Sequence, residues 1–388
     1  KDGVLMEVAK GYKQTEVGVI PEDWSLDAIQ QLCSETISYG IVQCGPHIHD
    51  GIPYVRVSDM GQRRMDINSM LRTSIQIAGK FKRSTVRTGD IVYALRGKIG
   101  EVRMVPSELD GANLTQGTAR IAPNTHIISN FLFWFLKSAN ALQQALGEAK
   151  GSSFVEITLF NLRKIQIPLP PTKAEQEAIA EALSDADSLI ESLQQLIAKK
   201  RQIKQGAMQE LLRPKDDWVE KTLPEVCRFR GGKAHEQYID PLGSFICVNS
   251  KFISSDGSVR KYSSKNFCKA HKNDILMVMS DLPNGKALAK SFLVDKDDLY
   301  AVNQRICALS AYADNPRYLS YYLNRNPYFM KFDDGVNQTH LLNKVFEKCP
   351  VLLPPEVEEQ TRIATILSDM DEEITALETK LSKARQLK

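Results

Sequence analysis

The chain has 388 residues, 43% of them apolar and 25% charged, with a formal net charge of +3. That length exceeds what one hydrophobic core holds and calls for two or more domains of ordinary soluble composition. No apolar run reaches bilayer-spanning length, and Lys1 to Lys10 lack the apolar centre of a signal peptide. The seven cysteines include no Cys-x-x-Cys pair, which argues against a zinc site or disulfide framework and for reduced cytosolic thiols.

Residues 1–20 form a leader. Gly18-Val-Ile-Pro-Glu-Asp-Trp24 leads into a short helix or strand from Leu26 to Leu32. Ile52-Pro-Tyr-Val-Arg-Val-Ser58 reads as a strand, and Thr88-Gly-Asp-Ile-Val-Tyr-Ala-Leu-Arg96 as a turn followed by a β-rich run. Gly97-Lys-Ile-Gly100 is a glycine-bounded loop. Glu101–Val105 and Gly117–Ile121 are further strand candidates. Phe131-Leu-Phe-Trp-Phe-Leu136 opens a helix of about 15 residues, and Ile165–Ile167 closes the region as a strand.

Next comes Leu169-Pro-Pro-Thr-Lys-Ala-Glu-Gln, which opens a long helix and recurs as Leu353-Pro-Pro-Glu-Val-Glu-Glu-Gln. The offset of about 184 residues holds without a gap through Gln176/Gln360, Ile179/Ile363, Leu183/Leu367, Asp187/Asp371, Leu193/Leu377 and Arg201/Arg385. Apolar positions Ile179, Leu183, Ala186, Ile190, Leu193 and Ile197 alternate steps of four and three. So do Ile363, Leu367, Met370, Ile374, Leu377, Leu381 and Ala384, which is the pattern of a coiled-coil seam. Thr172 and Glu175 form a capping box, and Glu356 makes the second cap weaker. From Ala174 to Leu212 such a helix is roughly 58 Å long and needs a partner, which the second copy supplies. That copy stops at Lys388, partway along by comparison with the first, either truncated or simply shorter.

The rest of the second half follows the same plan at lower similarity. Asp217-Trp218 answers Asp23-Trp24, and Asn273-Asp-Ile-Leu-Met-Val-Met279 answers Gly89–Leu95. Gln304-Arg-Ile306 resembles Ala119-Arg-Ile121, and Tyr318–Leu323 resembles the aromatic helix. Two basic stretches occupy matching places: Asp50–Arg103 and Arg228–Lys290 each hold eleven Lys/Arg against five Asp/Glu, whereas the starts of both long helices are acidic. Paired basic clusters are the electrostatic footprint of a nucleic-acid binder.

On these residues the chain resembles the specificity subunit of type I restriction–modification systems. The resemblance runs in order along essentially the whole chain. It is carried by Tyr12-Lys-Gln-Thr-Glu-Val-Gly-Val-Ile-Pro-Glu-Asp-Trp24, by the two Leu-Pro-Pro…Glu-Gln…Leu-Ser-Asp-x-Asp helices, and by Ile203-Lys-Gln-Gly-Ala-Met-Gln-Glu-Leu-Leu212. The resemblance implies an α/β (α+β) fold with a pseudo-twofold internal repeat, in which two globular target recognition domains are separated by two long antiparallel coiled-coil helices. The boundaries expected are 1–171, 172–212, 213–355 and 356–388. It further implies a non-catalytic subunit in the prokaryotic cytoplasm, with no membrane contact, serving defence against foreign DNA. Its partners would be double-stranded DNA, two N6-adenine methyltransferase subunits and motor–nuclease restriction subunits. No cofactor is expected on this chain, S-adenosylmethionine being implied on the methyltransferase. Two departures stand out. The family's Gly-x-x-Gln pattern is kept as Gly335-Val-Asn-Gln338 but replaced by Gly151-Ser-Ser-Phe154. Leu95-Arg-Gly-Lys-Ile-Gly100 is like the family's Arg-x-Gly-x-x-Gly loop, whereas Met279-Ser-Asp-Leu-Pro-Asn-Gly285 lacks the Arg.

Catalytic motifs are incomplete. There is no nucleotide-binding Gly-x-x-x-x-Gly-Lys-Ser/Thr. Asn326-Pro-Tyr-Phe329 lacks one proline of the amino-methyltransferase signature, and Asn-Pro there reads as a helix stop. His47-Ile-His49-Asp50 has no further ligands beside it and reads as a surface loop. Asp90…Glu101-Val-Arg103 lacks the lysine of a nuclease pattern. What remains is binding chemistry, in which cationic side chains neutralise phosphates and a few polar ones read base edges. The candidates in the first domain are Arg56, Ser58, Arg63, Arg64, Lys82, Arg83, Arg96 and Lys98. Those in the second are Asn249, Lys251, Arg260, Lys261, Lys265, Asn284, Lys286 and Gln338. For each, the competing reading is a side chain that is merely solvated. Arg96 and Lys98 lead, because a glycine-bounded loop approaches DNA closely. Two other classes stay open: a coiled-coil scaffold that ignores DNA sequence, and a single-chain nuclease or methyltransferase.

Unlike domains held at a fixed separation read an asymmetric, split target, much as a dimer reads half-sites about 34 Å apart. Inserting one heptad between Ser192 and Lys199 is expected to lengthen the gap between the half-sites and leave both unchanged. Sequencing the methylated motif checks this, and altered half-sites count against the ruler.

Overall fold

The structure, a computed structural model, describes residues 9–61, 65–147, 156–282, 287–333 and 335–388. It divides into two compact units, Lys1–Leu189 with Lys388, and Ile190–Leu387. Among the described residues, no helix is long and apolar enough to cross a membrane.

In the first unit, a four-stranded antiparallel sheet takes its strands in the order Ser38–Tyr39, Thr118–Ile121, Ile91–Ala94 and Val102–Met104. A three-stranded sheet orders Arg72–Thr73, Ile52–Val55 and Asn113–Leu114, the last pair parallel. Ser25–Ala28 pairs with Gln166–Leu169. Ile91, Val92, Tyr93 and Ala94 are all buried, because this strand is covered on both faces. Ile91, Tyr93, Ile121, Phe131 and Leu132 fill one core, and Val55, Val92, Ala94 and Leu114 fill the other.

The second unit repeats this wiring strand for strand. Its four-stranded sheet orders Cys227–Gly231, Ile306–Ala311, Ile275–Val278 and Ser291–Leu293, and its three-stranded sheet orders Tyr262–Ser263, Phe245–Val248 and Tyr300–Val302. Val219–Thr222 pairs with Pro350–Leu353. The register corrects one expected match. Ile91 pairs with Ile121 while Ile275 pairs with Leu309, so Leu309 answers Ile121, and Ile306 answers Thr118. The Gln304-Arg-Ile306 likeness was a coincidence of side chains.

The segment 26–32 is both of its alternatives: strand Ser25–Ala28 runs into a 3-10 turn, Ile29–Leu32. The strand expected through Ser58 ends at Val55 and passes into a second 3-10 turn, Val57–Gly61. The aromatic helix is two helices, Ser129–Leu136 and Ala139–Gly147, broken where the Ser138 hydroxyl caps the amide of Ala141.

The first long helix spans Lys173–Leu211 and the second Val357–Leu387. The capping box is half formed. Thr172 Oγ1 accepts the Glu175 amide at 3.2 Å, but the Glu175 carboxylate accepts from Trp24 Nε1 at 3.1 Å instead of turning back on Thr172. Gln176 is buried at 2% exposure; its Oε1 accepts the Ile128 amide at 2.8 Å, and its Nε2 donates to His126 O and Pro170 O. Gln360, at 1%, accepts the Asn315 amide at 2.9 Å and donates to Asp314 and Pro354 O.

The apolar stripe serves two surfaces. Ile179 and Leu183 pack on the first domain's core, and Ile363 and Leu367 belong to the second's, so at these positions the four-three spacing docks each helix on its own domain. Further along, within the second unit, residues 190–211 lie antiparallel to the second helix. Lys200 meets Glu373 at 2.7 Å, Arg201 meets Glu378 at 2.6 Å, Lys204 meets Asp371, and just beyond the helix Lys215 meets Glu359 at 2.8 Å. Leu193, Ile197 and Ile374 are buried there; Ile190, Met370, Leu377 and Leu381 are half-buried. Exposed ion pairs are worth at most about 1 kcal/mol each, and a buried aliphatic side chain about 1.5–3, so burial supplies the stability and the charges select the register.

All seven cysteines are free thiols. Burial pushes Cys33, Cys227 and Cys349 up to about 12, which leaves them protonated and inert at neutral pH.

The Asp90 carboxylate is tied down by two groups. It accepts the Arg87 amide at 2.8 Å and Arg120 Nε at 2.6 Å, and Arg120 also reaches Glu35 at 2.8 Å. Arg120→Ala leaves a buried carboxylate without its counter-charge and is expected to cost the first domain about 3–5 kcal/mol. Hydrogen exchange at Ile91–Ala94 measures it; a loss below about 1 kcal/mol would show that water replaces the arginine.

Candidate nucleic-acid interface

In the first domain the loops after two strands of different sheets meet. Strand Ile52–Val55 delivers Arg56 to the 3-10 turn. There Asp59 holds the Arg56 backbone amide at 2.9 Å and its guanidinium at 2.7 Å, and this hydrogen bonding raises the Arg56 pKa above its ordinary value. Ser58 is exposed, 3.4 Å from the Asp59 carboxylate. Strand Ile91–Ala94 delivers Arg96 and Lys98, both exposed. Gly97 takes φ +73°, a conformation that favours glycine, and a Cβ there would lie 3.9 Å from Val57. A Cβ on Gly117 would lie 3.1 Å from Arg96 Nε and 3.3 Å from Val57, so the missing side chain makes room for the arginine stem. A Cβ on Gly61 would lie 3.3 Å from Lys98 Nζ. Arg56, Ser58, Arg96 and Lys98 thus share one edge. Lys82 and Arg83 stand on another turn, beside the edge strand: Arg83 lies over the Tyr39 ring at 5.9 Å, and its carbonyl accepts from Ser38. Arg63, Arg64 and Gly151–Phe154 lie outside the described residues.

The second domain builds the same edge. Met279 donates to Arg305 O and Leu341 donates to Met279 O, as Leu95 donates to Gly117 O and Ile157 donates to Leu95 O. The Ser280–His340 pair matches the Arg96–Glu156 bridge. Asn303 donates to Val248 O as Thr115 donates to Val55 O. Position for position, Asn249 answers Arg56, Ser280 answers Arg96, Leu282 answers Lys98 and Arg305 answers Gly117.

Asn249 caps the helix Ser250–Ser254, accepting the Phe252 amide at 2.9 Å, and Lys251 is exposed on that helix. Gln338 Nε2 donates to Ser280 Oγ at 3.0 Å, and Ser250 Oγ donates to Ser280 O at 3.4 Å. Gln338 and Ser250, the residue between Asn249 and Lys251, therefore both touch Ser280. Arg260, Lys261 and Lys265 follow a separate segment. Arg260 donates to Gly257 O, Lys261 is exposed, and Lys265 lies 4.7 Å over the Tyr238 ring. Asn284 and Lys286 lie outside the described residues. Leu282 is 65% exposed at this edge, a position that charge counting passes over.

The other motifs resolve as local structure. Asn326 caps the helix Pro327–Met330 and donates to Tyr322 O. His49 and Asp50 are exposed and pair with each other, 3.0 Å apart, and His47 Nδ1 accepts the Arg72 amide. Among the described residues, no group of three His, Cys, Asp or Glu is placed to hold a metal.

The sequence profile of the type I restriction modification DNA specificity domain matches residues 47–201 and 215–384. The specificity subunit of the type I restriction enzyme EcoBI from Escherichia coli is 28% identical over 201 residues, 50% of this chain and 42% of that protein. The putative type I restriction enzyme MjaX specificity subunit from Methanocaldococcus jannaschii is 30% identical over 189 residues, 47% and 41%. These matches take in less than half the length of either relative. The crystal structure of a type I restriction–modification S subunit from M. genitalium superposes with a TM-score of 0.60 at 18% identity, covering 94% of this chain and 93% of that one. A structure from work on complex assembly and conformational transition of the type I restriction–modification system gives 0.55 at 17%, covering 95% and 96%. At that identity these superpositions establish the fold. With the profile matched twice, over most of its length, this chain belongs to the family of type I restriction–modification specificity subunits.

Proposed function

We propose that the chain is the DNA-reading subunit of its complex and that its two domains read the unlike halves of an asymmetric, split target. In this reading it docks two N6-adenine methyltransferase subunits, and through them motor–nuclease subunits, and performs no chemical step itself. S-adenosylmethionine then belongs to the methyltransferase partners, and the complex works on DNA in the prokaryotic cytoplasm.

The observation that carries this reading is one loop edge built twice on a single hydrogen-bond register with different side chains: Arg56, Arg96 and Lys98 in one domain, Asn249, Ser280 and Leu282 in the other. A fixed frame with variable tips is what two readers of different sequences require. Lysines and arginines elsewhere in each domain, Lys82, Arg83, Arg260, Lys261 and Lys265 among them, would neutralise phosphates without reading sequence. In this reading Arg96 is the candidate for base readout. It is exposed, its side chain makes no hydrogen bond or ion pair among the described residues, and its stem is seated on Gly117. A guanidinium so presented matches the O6 and N7 acceptors of guanine.

The test is genome-wide methylation sequencing of cells carrying this chain with its methyltransferase, against cells lacking only this chain. A split adenine-methylated motif is expected, and it should vanish with the chain. Arg96→Ala should relax one position in one half, worth about 1–3 kcal/mol of discrimination, and leave the other half intact. A motif that persists without the chain removes the proposal; relaxation of both halves together removes the assignment of Arg96.

A further inference from the structure

The loop of the second domain lacks the arginine that leads in the first, because Ser280 stands where Arg96 does. The matched register shows where a guanidinium reappears. Gly117 and Arg305 are equivalent, since each carbonyl accepts the amide of the equivalent loop residue, Leu95 or Met279, at 2.9 Å. In the first domain the Cβ that Gly117 lacks would point at Val57 Cγ2 and straight into Arg96, 3.1 Å from Nε and 3.6 Å from Cγ. That direction is the one a side chain at position 305 takes in the second domain. There the opposing residue is the short Ser280, and Ser250 replaces Val57, so both counterparts are smaller than in the first domain. The pair Arg96/Gly117 has become Ser280/Arg305: large and small have changed strands across the same hydrogen-bonded pair. Arg305 is exposed, and its side chain makes no hydrogen bond or ion pair among the described residues. Gln338 is held by Ser280, the residue that stands in place of Arg96.

We infer that Arg305 is the base-reading arginine of the second domain, directed at a guanine of the second half-site. This rests on the DNA-reading function proposed above. An arginine fork satisfies O6 and N7 of guanine together, whereas a phosphate contact would carry no sequence information. The same class of base contact is then delivered from opposite strands in the two domains.

The experiment uses the full chain in complex with its methyltransferase. Binding is measured on duplexes carrying the methylated motif, with each base pair of the second half-site changed in turn, and with each guanine there replaced by 7-deazaguanine. The wild-type complex should lose roughly 5- to 150-fold at one G·C pair, and also when that guanine lacks N7. Arg305→Ala should lose affinity for the motif by a similar factor and stop distinguishing that pair, while discrimination in the first half-site stays unchanged. Arg305→Lys, a point charge without the planar fork, should not restore the discrimination. Uniform weakening on every duplex would make Arg305 a phosphate contact and overturn the inference, as would wild-type behaviour of the variant. A wild-type complex with no sequence preference in either half would sink the DNA-reading function itself, a different failure from either of these.

Discussion

Everything in each half hangs from one buried amide. Gln176 and Gln360 sit at the first turn of their helices, where backbone groups lack helical partners. Each uses its oxygen to hold an amide in the loop before the aromatic helix and its nitrogen to hold the carbonyl of the Pro that precedes the long helix. Removing such a side chain leaves several buried groups unpaired, at about 1–3 kcal/mol apiece. Two turns on, Trp134 donates to Ser184 at 2.9 Å, and Arg317 meets Ser368 at the equivalent place. With the half-buried Ile179 and Leu183, or the buried Ile363 and Leu367, packed between these pins, each helix starts as a rigid part of its own domain. Only beyond that does the stripe become available to another helix.

A second constraint shows how the frame tolerates change. Asp90 and Asp274 both close the turn before the central strand, accepting an amide three residues upstream at 2.8 Å. Both are buried and need a cation. In the first domain it is Arg120, on the strand paired with Ile91–Ala94. In the second, the position answering Arg120 is Ala308, and the cation is Arg230, directly across from Ala308 on the next strand out. The carboxylate stays put and its partner moves one strand sideways. The cost of an unpaired buried charge fixes that there be an arginine, but not which strand carries it.

This explains what was legible in the sequence. The long helices and the central strand could be read because their residues face constraints on every side. Gln176, Ile179 and Asp90 have no freedom to move, so a gapless offset finds them. The strand Ile306–Ala311 was misaligned for the opposite reason: its arginine had migrated, and Arg305 before Ile306 imitated Arg120 before Ile121. Only the hydrogen bonds reveal the shift. Glu175 satisfied the pattern of a capping box, yet Trp24, far away in sequence, won its carboxylate. Asn249 and Arg56 were chosen for their polarity, and the structure commits much of it locally, to a helix cap in one and to Asp59 in the other. The candidate edge itself was half visible. Arg96 and Lys98 announced themselves by charge, whereas Leu282 and Arg305 become candidates only through the register.

The contrast between frame and edge follows from energies alone. A change at Asp90, Gln176 or Leu367 disturbs buried, paired or packed groups and costs several kcal/mol, a large fraction of a domain's total stability. A change at Arg96, Leu282 or Arg305 touches solvent and costs the fold within about 0.5 kcal/mol. The two halves of this chain therefore agree where disagreement would unfold them and differ where difference is nearly free. The loops that differ are also the ones that the shared frame brings to a common edge in each domain, so side-chain variation there changes what the edge can touch without changing where it stands.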